Sequence, residues 1–593
     1  MSTDFSIFDF LTYRLNVALD GHTYSNADAQ KVGIIRQNSE ISTASLNEFL
    51  GYDLFLLGEN TLNFNKRFGN HNLNALGGYS EQSFRSHNVQ GGTTGFTSSP
   101  QYYFQLGAGP DKGVIDGSSF IYTKRSFFAQ ASYDYNNRYL VTVSGRRDGS
   151  SRFTKANRWG NFGAASLGWR ISEESFFKGA LPQVNNLKLR ASYGSNGNDA
   201  LGGPFGGAYL PYAVIGQNVN YVIGTGQGIV NGAAQLALPS PDIRWEERYT
   251  KDLGLDVSVL SNRLTMSADY YISQTRNALA PVQVATYLGH FGQDLFQNAG
   301  DIENKGFELA LGYHDTKKDF TYGADFTLTT IKNKLTAVPV QGQSFNGADL
   351  TRSEVGSSLG EFYLIQFDGI FQSDDEAANY KNSKGVRIQP NASAGDVRYK
   401  DLNDDGKIDN ADRTYVGQAI PNLQMGLNLN AAYKGFDLAI FLNSVSGNKV
   451  YNQARRDLEG YLGPNNYNAD VTPWTPENRS NTTPRLLQGG GAGALGEAAA
   501  SNARFNTTRW LEDGSYIRLR NVQLGYTIPK SLTGKVPSLG SVRVYITGRN
   551  LFTITDYTGF DPEVTGTGFY SRGVDVSAYP NVRSVIGGLQ VNF

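Results

Sequence analysis

The residues best suited to chemistry lie in one stretch, Asp401-x-Asn403-x-Asp405-Gly406-Lys407-Ile408-Asp409-x-x-Asp412. A calcium ion takes about six to eight hard oxygen ligands. A twelve-residue loop supplies them from alternating side chains, a backbone carbonyl at its seventh position and a carboxylate at its twelfth. Here Asp401, Asn403, Asp405, Asp409 and Asp412 fall at the side-chain positions, and Lys407 would contribute its carbonyl. Gly406 stands where such a loop bends sharply, and Ile408 is placed to anchor it to apolar neighbours. Asp412 replaces the usual bidentate Glu, which leaves one ligand to be lost or supplied through water. The flanks do not read as helices. The expectation is therefore an EF-hand-like loop within an insertion at 395–421, holding a structural Ca2+; a solvated Asp/Asn/Gly turn is the other reading of the same residues.

Other chemistry is sparse. The 5 His (His22, His71, His87, His290, His314) are scattered without metal-ligand spacing, and Cys is absent. Neither a nucleophile elbow nor a P-loop occurs. Glu173-Glu174, Glu246-Glu247 and Asp374-Asp375-Glu376 read as solvated loop charges, and the Gly-rich 489–496 as a flexible loop. Arg146-Arg147-Asp148 suits either a charge cluster on an interior face or a strand-end salt bridge. The chain is not expected to be an enzyme. Tyr102, Tyr103, Phe104, Tyr209, Tyr212, Tyr221, Tyr287, Phe291, Phe345, Tyr461, Tyr467 and Trp474 lie between strands. There they could stack on sugar rings, hold peptide side chains or pack among themselves.

The elements that would position these residues are strands. Apolar and polar residues alternate from end to end, in about sixteen segments of roughly ten or more residues. They lie near 10–24, 48–67, 71–86, 119–135, 138–153, 159–172, 186–197, 248–260, 262–275, 305–314, 319–332, 422–434, 436–448, 515–528, 541–555 and 582–593. Turn-like segments such as Tyr135-Asn136-Asn137-Arg138, Leu260-Ser261-Asn262-Arg263 and Tyr433-Lys434-Gly435-Phe436 join some neighbours. Long polar stretches (87–118, 198–247, 276–304, 333–421, 449–514) separate others. Short turns on one side and long loops on the other are the asymmetry of an antiparallel transmembrane β-barrel. In Arg518-Leu519-Arg520-Asn521-Val522 the alternation is imperfect.

Composition agrees with an all-β chain. Gly reaches 68 and Tyr and Phe 34 each, while Met falls to 3. No run approaches the roughly 18 apolar residues of a membrane-spanning helix. A net charge of −1 gives no field that would draw nucleic acid. Aromatic residues gather at strand ends, as in the girdles at a lipid–water boundary. The alternating last strand closes on Phe593.

Gly395-Asp396-Val397-Arg398-Tyr399-Lys400 leading into the Asp401 loop resembles the SusC/RagA group of TonB-dependent transporters of the Bacteroidetes. In the same order along the chain follow further resemblances: Arg146-Arg147-Asp148-Gly149-Ser150-Ser151-Arg152-Phe153, Leu187 to Gly194, Arg244-Trp245-Glu246, Asn298-Ala299-Gly300-Asp301, Gly447 to Asn452, Gly514 to Asn521, Gly548-Arg549-Asn550-Leu551-Phe552 and Asp561-Pro562-Glu563. The resemblance implies a barrel of about 22 strands with a plugged lumen. On this view residues 1–593 are a partial barrel, with the plug, the TonB-contacting segment and the first strands expected upstream of Met1. It also implies import of oligosaccharides or peptides across the outer membrane, with the barrel set in outer-membrane lipids. The implied partners are a SusD-like surface lipoprotein and the TonB complex. A passive porin of about sixteen strands and a surface adhesin barrel are the alternatives.

Overall fold

The structure is a computed structural model. It describes all residues but 37–38, 97–103, 202–209, 213, 284–293, 341, 348, 461–466, 488–499, 534–539, 565, 567, 569 and 593. Its main feature is an 18-stranded sheet. In chain order the strands are β1 (Ser2–Phe8), β2 (Leu11–Gln30), β3 (Ala44–Phe68), β4 (His71–Phe96), β5 (Asp111–Tyr135), β6 (Tyr139–Ser150), β7 (Trp159–Arg170), β8 (Val184–Asn198) and β9 (Glu246–Val259). They continue as β10 (Leu264–Gln283), β11 (Asp294–Lys317), β12 (Phe320–Thr330), β13 (Lys332–Ala337), β14 (Leu423–Tyr433), β15 (Phe436–Ser446), β16 (Tyr516–Thr527), β17 (Ser541–Thr555) and β18 (Ser584–Asn592). Strands β1 to β7 pair antiparallel, each with the next. The same holds from β11 to β12, from β12 across to β14, and onward to β18.

Each of the sixteen segments read from the sequence lies on a strand. Ser2–Phe8 is an additional one, tied to β2 by the Asp4–Arg14 ion pair at 2.7 Å. The tight turns form as their residues dictate. Asn136 and Asn137 have φ of 51° and 58°, and Lys434 and Gly435 have 46° and 89°. Two successive left-handed residues match the twist of the hairpin strands, and Asn and Gly tolerate that conformation.

The chain divides into two compact units. The first comprises Met1–Glu173, Arg190–Asp252 and Ser273–Asp301. In it the register of β3 to β7 aligns residues of one face in rows. Phe68, His71, Tyr135, Tyr139 and Trp169 form an aromatic row beside the tight turns. Above it come Leu73, Tyr133, Val141 and Leu167, then Phe64, Ala75, Ala131, Val143 and Ala165, then Leu62, Gly77, Ala129, Gly145 and Gly163. Next are Asn60, Tyr79, Phe127, Arg147 and Asn161, and then Gly58, Glu81, Arg125, Gly149 and Trp159. Leu62, Phe127, Val143 and Leu167 on this face are exposed. The opposite face carries Asn74, Gln82, Gln130, Lys124 and Ser132, with Ser132 hydrogen-bonded to Thr142 across the strands. An apolar face bounded by aromatic rows and a polar reverse is the design of a lipid-facing barrel wall. From Phe68 to Gly58 the strand rises about 33 Å, or roughly 25 Å of height once tilted.

The second unit comprises Glu174–Leu189, Leu253–Ile272 and Ile302–Phe593. Here the structure corrects the reading of 333–421 and 449–514 as loops. Short strands at Phe345–Gly347, Thr351–Ser353, Glu361–Ile365 and Arg413–Gln418 build a 4-stranded sheet. Leu350, Phe362, Leu364, Tyr451, Trp510 and Val574 form one buried core, and Ile365, Ile370, Val397, Tyr399 and Trp474 another. These segments are too short to show a period, and each core is assembled from pieces far apart in the chain. A window moved along the sequence therefore cannot see it. In the first unit, Val214–Ile223 and Gly228–Ala237 likewise form a hairpin within the supposed loop 198–247.

Candidate functional site

The loop at 401–412 follows the strand Val397–Tyr399 and precedes Arg413–Gln418 in the folded insertion. Its acidic side chains wrap its own backbone. Asp401 Oδ2 accepts the Gly406 N–H at 2.8 Å, and Asn403 Oδ1 accepts that of Asp405 at 3.0 Å. Asp405 Oδ1 accepts the Lys407 N–H at 2.9 Å, and Asp409 Oδ1 that of Ala411 at 2.7 Å. Asp412 is fully buried and closes the loop, its two oxygens accepting the N–H groups of Leu402 at 2.8 Å and Asp409 at 2.9 Å. Gly406 has φ of 83°, and a Cβ there would stand 2.8 Å from Val386 Cγ1, so only glycine fits. Ile408 packs against the core containing Trp474 and Tyr399, as its position in the motif suggests, and its carbonyl accepts Arg504 Nη1 at 3.0 Å.

Asp404, between the motif positions, accepts both the N–H and the hydroxyl of Ser383, which hold its carboxyl below the usual carboxylate range. Beneath the loop, burial pushes the Tyr399 phenol up to about 12, and its hydroxyl donates to the Ser501 carbonyl at 2.6 Å. Among the described residues no three His, Asp or Glu side chains converge as a ready-made metal cage. The donor set is nonetheless of calcium type. Each carboxylate oxygen bonded to one amide keeps a second lone pair, and the amide bonds hold the loop turned about its acidic side chains.

A second constellation was not read as a site from the sequence. Arg518, almost fully buried, donates from Nη2 to Asp561 at 2.7 Å, from Nη1 to Glu563 at 2.8 Å and from Nε to Thr553 at 2.8 Å. Arg520 pairs with Glu563, which also accepts the Tyr516 hydroxyl at 2.6 Å. Against β15 the register shifts between Phe441, opposite Asn521, and Leu442, opposite Leu519, so Arg520 of β16 is the extra residue of a β-bulge. The bulge explains the imperfect alternation there, since an extra residue resets which face follows.

The remaining candidates divide. Arg146 pairs with Asp148 at 2.7 Å on the polar face, whereas Arg147 lies on the apolar face, 5.1 Å from the Trp159 ring centroid. Glu246 is not a solvated loop charge: it accepts the Leu279 N–H at 2.8 Å and Asn198 at 3.0 Å, and Glu174 is buried. Glu376 pairs with Arg398 at 2.5 Å. Among the interstrand aromatics, Phe345 is buried and stacked on Tyr570, Trp474 is core and donates to Gln372, and Phe104 packs on Phe96. Tyr212 and Tyr221 are exposed. Tyr102, Tyr103, Tyr209, Tyr287, Phe291, Tyr461 and the Gly-rich 489–496 lie outside the described residues.

Comparison with known proteins places this architecture. The family model described as "TonB dependent receptor-like, beta-barrel" matches residues 2–443. TonB-dependent receptor P3 of Formosa agariphila is 32% identical over 555 residues, which is 91% of this chain and 52% of that protein. TonB-dependent receptor SusC of Bacteroides thetaiotaomicron is 29% identical over 487 residues, 79% of this chain and 43% of its own length. The solved RagAB peptide transporter superimposes with a TM-score of 0.82 at 22% identity, covering 100% of this chain and 61% of that one. The chain thus spans about half the length of these relatives. It belongs to the TonB-dependent receptor β-barrel family.

Proposed function

We propose that this chain is the outer-membrane wall of an active importer for oligosaccharides or peptides, working with a SusD-like surface lipoprotein and energised by the TonB complex. The observation that carries the reading is the family match over residues 2–443. The likeness to the solved RagAB peptide transporter supports the peptide alternative, and the oligosaccharide alternative follows from the sequence resemblance to the SusC/RagA group. The test is deletion of the whole gene in its host, with growth measured on peptides and on oligosaccharides as sole nutrient. Loss of growth on one class, restored by the full gene, supports the reading. Unchanged growth on every substrate, or uptake that persists when TonB is removed, refutes it.

The loop at 401–412 serves this importer as a calcium-stiffened clasp on its folded insertion, with Asp401, Asn403, Asp405, Asp409 and Asp412 as side-chain ligands and Lys407 as carbonyl ligand. When bound, the ion supplies charge neutralisation and cross-linking, not catalysis. Mg2+ suits the loop less well, because it demands tight octahedral geometry and keeps its waters. Calorimetric titration of Ca2+ into the wild-type protein and into Asp405→Ala tests this. Heat in the wild type alone supports the assignment, and equal heats from both return the motif to a turn.

A further inference from the structure

The folded insertion of the second unit holds a cavity of about 310 Å3, the size of a small-molecule site. Its lining has two characters. Ile388, Pro390, Ala392 and Ile408 form an aliphatic wall, while Ser501 and Arg504 border it with a hydroxyl and a guanidinium. These two stand on one turn, closed by the Arg504 N–H on the Ser501 carbonyl at 3.2 Å, and residues three apart on a turn are neighbours. The wall is held before any ligand arrives. The Gln389 amide donates to the Val397 carbonyl and accepts the Tyr399 N–H, each at 2.9 Å, and Arg387 donates to the Ala392 carbonyl at 2.7 Å.

The charges leave one cation over. Asp396, the carboxylate on the lining, is fully engaged: Arg485 pairs with its two oxygens at 2.7 and 2.8 Å, and Asn502 and the Ser393 N–H add to them. Arg504 has no carboxylate partner among the described residues. Its Nη1 donates to the Ile408 carbonyl at 3.0 Å, and its guanidinium carbon lies 5.8 Å from the Tyr399 ring centroid. Among the described residues its Nε and Nη2 make no bond, and they are not sealed from solvent. The acidic loop beside it does not neutralise it, since Asp409 and Asp412 are spent on backbone N–H groups. A guanidinium with an open fork next to an unengaged hydroxyl suits a carboxylate.

We propose that this cavity receives the C-terminal residue of a peptide. Its carboxylate sits on Arg504 and Ser501, and an aliphatic side chain lies against Ile388, Pro390 and Ile408. Among the described residues no aromatic ring lines the cavity, so it offers no flat face on which a sugar ring would stack. That absence and the open guanidinium favour a peptide over an oligosaccharide; the choice of ligand rests on the importer reading. The preformed wall spares the ligand part of the ordering cost of binding.

Calorimetric titration of the full chain in detergent tests the proposal. The probes are a leucine-terminated tetrapeptide as the free acid, the same peptide as its C-terminal amide, hexanoate, and a disaccharide containing a uronic acid. The free acid is expected to bind, and the amide about tenfold or more weaker, as the loss of a charge-assisted contact dictates. Arg504→Gln should weaken the free acid by about the same factor and leave the amide unchanged. Arg504→Lys should keep part of the affinity, and Ser501→Ala, which spares the bond to Ile408, should weaken the acid alone. Equal binding of acid and amide overturns the proposal. So does an Arg504→Gln variant that weakens both equally, which would mean a displaced wall rather than a lost ion contact. Hexanoate or the acidic disaccharide binding as tightly as the peptide overturns the peptide assignment. The titration needs neither TonB nor a lipoprotein, so its failure beside intact peptide-dependent growth removes this site and leaves the importer reading standing.

Discussion

Replacing Arg518 by Met should unlock the segment that follows β17 while leaving the wall strands paired. In the native protein the Arg518 side chain is 3% exposed and makes three charge-assisted or neutral hydrogen bonds, to Asp561, Glu563 and Thr553. Met fills much of the same volume, so the loss is electrostatic rather than a cavity. Asp561 and Glu563 would be left facing each other, with Arg520 still on Glu563 but no cation on Asp561. Breaking a buried pair by removing one partner costs about 3–5 kcal/mol. Asp561 also accepts the backbone N–H groups of Glu563 at 2.9 Å and Asn581 at 3.0 Å, so these two amides report its position. If local opening carries the whole loss, their hydrogen exchange should accelerate by about 10²- to 4 × 10³-fold, at about 1.4 kcal/mol per tenfold. Exchange in the segment β16–β17 paired by Leu524 and Ile546 should not change. The triple substitution Arg518→Met, Asp561→Asn, Glu563→Gln should recover much of the protection, because no uncompensated charge remains. Unaltered exchange at Glu563 and Asn581 in Arg518→Met, or acceleration equal along the whole of β16, would refute the reasoning.

Two further outcomes follow from the same physics. Asp404 has its carboxyl lowered by Ser383, so the stability it lends is present above its unfolded value near 3.9 and is lost as pH falls through the lowered folded value. Protection of the Ser383 amide should therefore be flat from pH 8 to about 5 and fall away only below about 4, and Ser383→Ala should bring the Asp404 titration back toward the ordinary range, as read by carboxyl NMR. Trp245 is buried with Phe153 and Phe162 and donates to the Arg158 carbonyl at 3.0 Å. Trp245→Ala should cost about 3–5 kcal/mol in urea unfolding of the folded barrel, and a loss below about 1 kcal/mol would mean that this core does not hold the rim.

What the sequence determined by itself was the wall and its turns. Strand period is a local property: alternate side chains must meet lipid and the polar interior, so Leu62, Phe64 and Val143 announce their face without knowledge of their neighbours. Asn136-Asn137 and Lys434-Gly435 likewise carry their left-handed geometry in their own side chains. The acidic turn at 401–412 was legible because its Asp and Asn residues are contiguous, and Gly406 and Ile408 stand where a tight turn and an apolar anchor are needed. Only the tertiary structure decided the rest. The insertion's cores join Phe362 to Trp510 and Val397 to Trp474 across intervals that no local pattern spans. The bulge at Arg520 arises from the register of β16 against β15, not from either strand alone. The pairing of Arg518 with Asp561, and the seat of Arg147 over the Trp159 ring, exist because folding brings distant residues side by side. Charge partners are chosen by proximity in space, and proximity in space is what folding supplies.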